Sequence, residues 1–240
     1  MEQQVIHRLD RDKSDFLPNT AIGAVFVSIL LIFALHFLKP DYDPAWRFVS
    51  EYSIGDFGFV MQAAFIAMAW ASLATAVSLW DRSLTWVAKI GLILHGAVGL
   101  SLVGAALFVA DPVTAEPSQL TSHGMMHAIF ATIGIPGVPV AALAVAYGMT
   151  SPGTSERKWL QIPAFAVVLS VVLMFIYMTS LMAGGAKIGP TDYTGWANRI
   201  AVAAFDWWWI SAAVYAIGLN RGGATVPARY QTWRQSGTKP

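Results

Sequence analysis

The chain contains no cysteine and few charged side chains, and both features limit the classes of protein to which it can belong. Without cysteine there can be no disulfides, thiolate metal sites, iron–sulfur clusters or cysteine nucleophiles. Charged residues make up 12% of the 240 positions, whereas a soluble domain typically has about a quarter. The 15 basic and 14 acidic residues nearly cancel, which excludes a broad basic surface for nucleic acid. Hydrophobic residues make up 56% of the chain and the mean hydropathy is +0.55, a composition typical of membrane proteins.

Long segments without charge predict six transmembrane helices. Each is long enough for a helix of about 20 residues to cross a hydrocarbon core of about 30 Å. Since the sequence lacks the alternating pattern of barrel strands, we predict an all-α fold: a polytopic membrane protein with a six-helix bundle. A polar segment over 1–19 precedes this domain and a polar tail over 220–240 follows it. The predicted spans are about 20–38, 57–80, 86–109, 123–148, 159–184 and 197–219.

The lysine and arginine residues predict the orientation of the bundle. With six spans, both termini share one side of the membrane, and that side holds 11 of the 15 basic residues. The other side holds the remaining four, which are Lys39, Arg47, Lys187 and Arg199. The positive-inside rule then places both termini in the cytoplasm. The membrane is expected to be the cytoplasmic (inner) membrane of the cell. The loops over 39–56, 110–122 and 185–196 are expected to face outward.

These outward loops are longer and more polar than the loops on the cytoplasmic side. They contain seven of the fourteen acidic residues, and the sequence therefore predicts that any functional site opens outward. The alternative is that the loops are simply long and solvated. The seven acids are Asp41, Asp43, Glu51, Asp56, Asp111, Glu116 and Asp192.

Two histidines at the start of the fourth span have the spacing of metal ligands. His123 and His127 are four residues apart, so both imidazoles project from one face of a helix. This arrangement suits a divalent metal such as zinc, with Asp111, Glu116 or Glu51 as a third ligand. The alternative is that both histidines form hydrogen bonds at the headgroup level and bind no cofactor.

The sixth span contains an acidic residue near its middle. Asp206 lies where a carboxylate costs about 2.5–3.5 kcal/mol on insertion scales, so it is expected to face the bundle interior. Arg199 is seven residues earlier, on the same helix face, and Asn198 is beside it. These three residues predict a polar path from the outer surface to the middle of the membrane. The alternative is a buried acid that fixes helix packing.

A histidine also lies inside the third span. His95 has Gly91 and Gly99 one turn to either side, which would allow close helix approach or a planar ligand such as haem. Because no other histidine is clearly at the same depth, a hydrogen-bonded packing role is the preferred interpretation. The methionines at 174, 178 and 182 repeat every four residues and predict a packing surface.

Four short motifs, taken in order, resemble one membrane protein family. The stretches SEYSIGDFGFVMQAAF, FVADP, TSHGMMH and ANR are similar to the family catalogued as domain of unknown function 998. The resemblance covers about residues 20–219 and implies a bacterial or archaeal multi-pass membrane protein with an outward polar cluster. It implies no established activity. The positions that match the family pattern are Ser50, Glu51, Asp111, Pro112, His123, His127 and Arg199.

Three functions remain open at this point. The first is a metal-dependent or acid/base enzyme acting on lipid or another amphipathic substrate. In it, Glu51 and Asp111 would be ligands or acid/base groups, and Arg199 would hold an anionic headgroup. The second is a structural or accessory membrane subunit. The third is a transporter or small-molecule binding protein that uses Asp206 and His95. Membrane lipid is the expected partner in the first of these, and no nucleic acid is expected.

Overall fold

The computed structural model describes residues 2–83 and 85–222, with side chains from residue 15 onward. The secondary structure of these residues is helical, and six helices are long and apolar enough to cross a membrane. The predicted all-α, six-helix fold is therefore confirmed. The helices are α1 (Glu2–Leu38), α2 (Gly58–Trp80), α3 (Trp86–Leu107), α4 (Ser122–Gly148), α5 (Ser155–Ala183) and α6 (Thr194–Asn220).

Three helices begin earlier than the uncharged segments predict. Helix α1 continues back to Glu2, through the predicted polar segment, and α5 begins at Ser155 where 159 was predicted. Helix α6 begins at Thr194 where 197 was predicted. The reason is that charged residues at headgroup level can still be helical, so a gap between charges measures the apolar part of a helix only. The predicted tail beyond residue 222 lies outside the described residues.

Threonine side chains fix the beginning of three helices. The Thr85 hydroxyl accepts a hydrogen bond from Ala88 N at 3.0 Å, and the Thr121 hydroxyl accepts one from Gly124 N at 3.0 Å. Thr154 caps α5 in the same way, through Arg157 N at 3.2 Å. Each cap satisfies a backbone N–H that has no partner inside the helix, so these threonines determine where α3, α4 and α5 enter the bundle.

The six helices form a closed ring in chain order. Each helix packs against the next one, and α6 packs against α1 and also against α2. Helices α2 and α6 are consequently the most buried, while α1 and α5 expose most of their apolar surface. Exposed apolar side chains cover the outside of the bundle, as expected for a surface that contacts lipid.

Three loops lie together at one end of the ring, and we call this end the long-loop face. It consists of residues 39–57, 108–121 and 184–193, and it includes short 3₁₀ helices at Val49–Ser53 and Pro117–Gln119. These loops correspond closely to those that the sequence analysis placed on the outward side.

The opposite end of the bundle is held by a polar network around Asp15. The Asp15 carboxylate accepts hydrogen bonds from Asn220 Nδ2 at 3.0 Å and from Arg221 Nε at 3.1 Å. Arg82 Nη2 donates to Asn220 Oδ1 at 3.1 Å. The network therefore connects α1, the loop between α2 and α3, and the end of α6.

Candidate binding site

Glu51 connects two loops of the long-loop face. Its side chain is only 1% exposed, and its carboxylate accepts three hydrogen bonds. Arg47 Nη1 and the backbone N of Val113 donate to Oε1 at 3.0 and 3.1 Å. The backbone N of Phe48 donates to Oε2 at 2.9 Å. A buried carboxylate with a paired charge and three donors is well satisfied, so Glu51 holds the loop after α1 against the loop after α3.

Asp111 organises the start of α4. Its two carboxylate oxygens accept hydrogen bonds from the backbone N and the hydroxyl of Thr121, both at 2.8 Å. Thr121 is itself the cap of α4. A Cβ added at Gly124 would collide with the Asp111 carboxylate, so only glycine permits this close approach of helix and loop. Asp111 thus fixes the direction in which the first turn of α4 points.

His127 is the histidine of the predicted pair that points into the protein. Its Nδ1 lies 2.8 Å from the carbonyl oxygen of Phe108, which can only accept, so Nδ1 carries the proton. In the neutral ring Nε2 then has the lone pair, and it has no hydrogen-bond partner among the described residues. The His123 ring instead packs against the ring of Phe108, with centroids 5.5 Å apart. The two imidazoles consequently have different surroundings.

Asn198 brings the first turns of α6 to the same place. Its Oδ1 accepts a hydrogen bond from the backbone N of Val49 at 3.0 Å, which leaves the amide NH₂ as a donor. Ser50 follows Val49 in the chain and lines the same space as Asn198 and His127. Three polar side chains from the first loop, α4 and α6 therefore meet.

These polar residues lie at the boundary between two adjoining cavities. The upper cavity, of about 430 Å³, lies under the long-loop face between the loops, α4, α5 and α6. The lower cavity, of about 100 Å³, lies between α2, α3, α4 and α6. The upper one is lined by Glu51 and Asp111, whereas the lower one is lined mainly by apolar side chains such as Met68, Phe205 and Trp209. The walls common to both cavities are Ser50, His127, Ala131, Ile135 and Asn198.

The upper cavity lies beside a part of α5 that packs loosely on the bundle. The buried residues of α5 form one stripe that ends at Met174, and no residue of this fully described helix is buried from 175 to 183. Met174, Phe175 and Met178 line the upper cavity. The half of α5 nearest the long-loop face thus borders the cavity on the lipid side, and the predicted methionine packing surface serves partly as a cavity wall.

Arg199 is surrounded by acceptors from the protein itself. Its guanidinium donates to the carbonyl oxygens of Pro44, Arg47 and Gly195 at 3.0, 2.7 and 3.1 Å. It also donates to the hydroxyl of Tyr52 at 3.1 Å. Arg199 therefore binds the first loop to the start of α6, and it does not line the cavities that contain His127.

Tyr52 and His36 complete the surroundings of Arg199. Arg199 Nε donates to His36 Nε2 at 3.2 Å, while His36 Nδ1 donates to the carbonyl of Ile32 at 2.8 Å. Burial raises the pKa of Tyr52, although the Arg199 charge acts in the opposite direction. This cluster joins α1, the first loop and α6 on the side of the protein away from the upper cavity.

Asp206 lines a separate groove between α1 and α6. The groove has a volume of about 450 Å³ and contains Arg199 and His36 near one end. Asp206 is 5% exposed, and its Oδ1 has no hydrogen-bond partner among the described residues. Asn198 does not line this groove, so the predicted path of Asn198, Arg199 and Asp206 is divided between two sides of α6.

His95 is buried in the centre of the bundle with both ring nitrogens occupied. Trp208 Nε1 donates to His95 Nε2 at 2.9 Å, and the two rings are stacked with an interplanar angle of 9°. The Ser72 hydroxyl donates to the His95 carbonyl at 2.9 Å and lies 3.2 Å from Nδ1. Neither nitrogen is available to a haem iron, and this geometry is that of a hydrogen-bonded packing histidine.

The structure thus brings together four of the predicted site residues, namely Glu51, Asp111, His127 and Asn198. It places His123, Arg199, Asp206 and His95 elsewhere. No group of three His, Asp or Glu side chains suited to a metal ion occurs in the part of the chain that the structure describes. A metal at His123, His127 and Asp111 would require Asp111 to leave Thr121 and the His123 ring to leave Phe108.

Sequence reasoning missed two residues that matter here. Trp208, the donor to His95, lies in a run of three tryptophans that gives no sign of which ring faces inward. Ser50 matched the family pattern but was not assigned to the site, and no spacing rule relates it to Asn198, which is 148 positions later. A cavity wall built from distant segments has no local sequence pattern.

Comparison with known proteins identifies the family of the chain. No curated protein and no solved structure matches it. The sequence profile of the family described as "Protein of unknown function (DUF998)" matches residues 21–215, which include four of the six membrane-spanning helices whole and most of the first and the last. This match covers most of the 240 residues and agrees with the resemblance of the four motifs. The chain is a multi-pass membrane protein that belongs to the DUF998 family.

Proposed function

We propose that the protein binds an amphipathic, lipid-like molecule in the two adjoining cavities. The observation that carries this proposal is the set of shared walls, where the polar side chains of Ser50, His127 and Asn198 converge between two cavities whose other walls are mostly apolar. An amphipathic ligand matches this arrangement, with its head at the three polar residues and its chain along the apolar walls of the upper cavity, such as Met174 and Met178. Apolar pockets with a few converging polar groups are the usual form of small-molecule sites.

The charges that line the site favour a head without phosphate. Glu51 and Asp111 are the charged residues among the described cavity walls, and none of those walls is lysine or arginine. Arg47 pairs with Glu51, but Asp111 has no basic partner among the described residues, so its carboxylate would repel a phosphate in the cavity. The His127 Nε2 lone pair accepts a hydrogen bond and the Asn198 amide donates one. A neutral head with a hydroxyl and a carbonyl, as in a monoacylglycerol, provides both partners.

The half of α5 nearest the long-loop face, which has no buried residue, supports entry of the ligand from the bilayer. Because residues 175–183 are not buried, an acyl chain can approach the upper cavity between α4 and α5 without leaving the hydrocarbon region. The proposed membrane is the cytoplasmic membrane, with both termini in the cytoplasm, since the positive-inside rule gives this orientation for the observed helices. The long-loop face and the head-binding residues then lie near the outer leaflet.

Lipid binding is tested by native mass spectrometry of the purified protein with a C18 monoacylglycerol. We expect the wild type to bind this lipid, and to bind phosphatidic acid with the same acyl chain more weakly. Ala131→Phe places a ring in the wall that both cavities share, and we expect at least about a tenfold loss of affinity, or about 1.4 kcal/mol. Ile133→Phe on the exposed side of α4 is the matched control. Equal binding by both variants would contradict the proposal.

A second function, acid/base catalysis on the bound lipid, is favoured by the orientation of His127. A histidine that acts as a general base needs one ring nitrogen held in its protonated form, so that the other can accept a proton. The Phe108 carbonyl holds Nδ1–H in this way, and His127 lines the cavity. The test is release of fatty acid from the monoacylglycerol, followed by mass spectrometry. If the protein is an enzyme of this kind, His127→Gln should abolish release even at lipid concentrations that saturate both proteins. Release at an equal rate in both proteins, or from neither, would exclude His127 as the base.

A further inference from the structure

The middle of α6 contains a hydrogen-bond acceptor without a donor. Asp206 lies 12 residues from the start of α6 and 14 from its end, which places it near the centre of the membrane. Its Oδ1 is buried and has no hydrogen-bond partner in the described part of the chain. Ionisable groups at this depth are costly unless they have a partner, so a donor that reaches the carboxyl through the groove lined by Asp206 would stabilise it.

The next residue is a donor without an acceptor. The Trp207 side chain is 46% exposed on the outside of the bundle, and its indole N–H has no hydrogen-bond partner among residues 15–83 and 85–222. Tryptophan N–H groups usually lie at the membrane interface, where water or lipid headgroups accept from them. At the centre of the bilayer, lipid chains offer no acceptor.

The exposed face of α6 beside these two residues has one small side chain between larger ones. Its exposed side chains recur about every turn, and small Ala203 lies between the larger Ile200 and Trp207. Ala203 lines both the groove that contains Asp206 and the groove between α5 and α6 that contains Trp207. Small residues at such positions allow close approach of two helices in membranes.

From this arrangement we infer that two copies of the chain form a parallel, two-fold dimer along α6. The Trp207 indole of each copy packs over Ala203 of the other and donates its N–H to Asp206. Side chains on a helix lean towards its N-terminus, so the indole of Trp207 lies near the level of Ala203. In a parallel dimer equivalent residues meet at the same depth, and two-fold symmetry makes both hydrogen bonds at once.

A second copy is a better occupant of this surface than lipid because of the donor and acceptor. An acyl chain can fill the apolar groove but cannot donate to Asp206 or accept from Trp207. A second copy supplies both groups at the required depth and leaves neither unpaired. The interface is separate from the head-binding residues Ser50 and His127, so it does not depend on the proposed lipid binding.

Cysteine crosslinking in native membranes tests the dimer, and the absence of cysteine from the chain gives a clean background. With a short bis-maleimide linker, we expect Ala203→Cys to yield a covalent dimer. Leu100→Cys is the control, because Leu100 is exposed to lipid on α3 at a comparable depth. Equal crosslinking of the two variants would overturn the inference, and it is the result expected if lipid or a different membrane helix covers α6.

A second variant tests the hydrogen bond itself. Trp207→Phe keeps an aromatic ring and removes the N–H, so in the Ala203→Cys background we expect the crosslinked fraction to fall severalfold. Trp80→Phe, a change of the same type at the end of α2, should leave the fraction unchanged. Crosslinking that is insensitive to Trp207→Phe would show that the proposed contact is wrong.

Discussion

Glu51 and Val113 connect the first and second long loops through a hydrogen bond of 3.1 Å, between the Val113 backbone N–H and the buried carboxylate. The two residues are 62 positions apart in sequence and follow different helices. Glu51 also pairs with Arg47 at 3.0 Å, on the side towards the first loop. The roof of the upper cavity therefore depends on one carboxylate, which is itself inaccessible to solvent.

The first prediction is that Glu51→Gln destabilises the protein. The glutamine NH₂ is a donor and would face another donor, a backbone N–H or the Arg47 guanidinium, at one of the three contacts. A buried group left unsatisfied in this way costs about 1–3 kcal/mol. Thermal unfolding in detergent should show a lower midpoint. The control is Glu116→Gln, since Glu116 forms an exposed ion pair with Lys187 and such pairs contribute little. Equal midpoints for the two variants would contradict the role assigned to Glu51.

The fold could be predicted from sequence because one physical requirement decides it. A chain in hydrocarbon must satisfy every backbone group within a helix, so six long segments with little or no charge are sufficient to predict six helices. The sequence predicted only that Glu51, Asp111, His127 and Asn198 lie on the same side of the membrane. It did not predict that they line one cavity. Which way each side chain points depends on the rotation of its helix, and that is set by contacts between distant segments.

The position of Arg199 shows this limit. Its place at the start of the sixth span predicts a cation at the end of the bundle that carries the long loops, and Arg199 lies at that end. The sequence does not contain the information that the guanidinium faces the first loop, where carbonyl oxygens of Pro44, Arg47 and Gly195 surround it. The charge that seemed suited to an anionic headgroup is used to hold the protein together.

The second prediction concerns the close approach of α4 to Asp111. Gly124→Ala places a methyl group on the Asp111 carboxylate, which must then release Thr121. We expect a lower unfolding midpoint and weaker monoacylglycerol binding, because the first turn of α4 carries His127 towards the cavity. Gly23→Ala is the control, since its Cβ would meet nothing within 4 Å. That variant should be neutral or slightly more stable, as alanine is the better helix former.

The third prediction is that the bond between Trp208 and His95 stabilises the bundle without contributing to the site. Trp208→Phe leaves the buried Nε2 of His95 without its donor, at a cost of about 1–3 kcal/mol. Thermal unfolding should reveal this loss, whereas lipid affinity measured on the folded protein should not change, since neither residue lines a described cavity. Trp86→Phe on the exposed surface should have no effect on either measurement.

The fourth prediction is an alkaline loss of stability that depends on Tyr52. Burial raises the pKa of this tyrosine above the ordinary value of 10.0, so the unfolded chain loses the proton first as the pH rises. Above about pH 10 the folded state therefore binds more protons than the unfolded state, and the free energy of unfolding falls with increasing pH. In Tyr52→Phe this part of the decline should disappear. Denaturant titrations at pH 8, 10 and 11 measure it, with Tyr193→Phe, at an exposed position, as the control. An identical decline in wild type and Tyr52→Phe would mean that other groups cause it, and that burial does not keep the Tyr52 hydroxyl protonated.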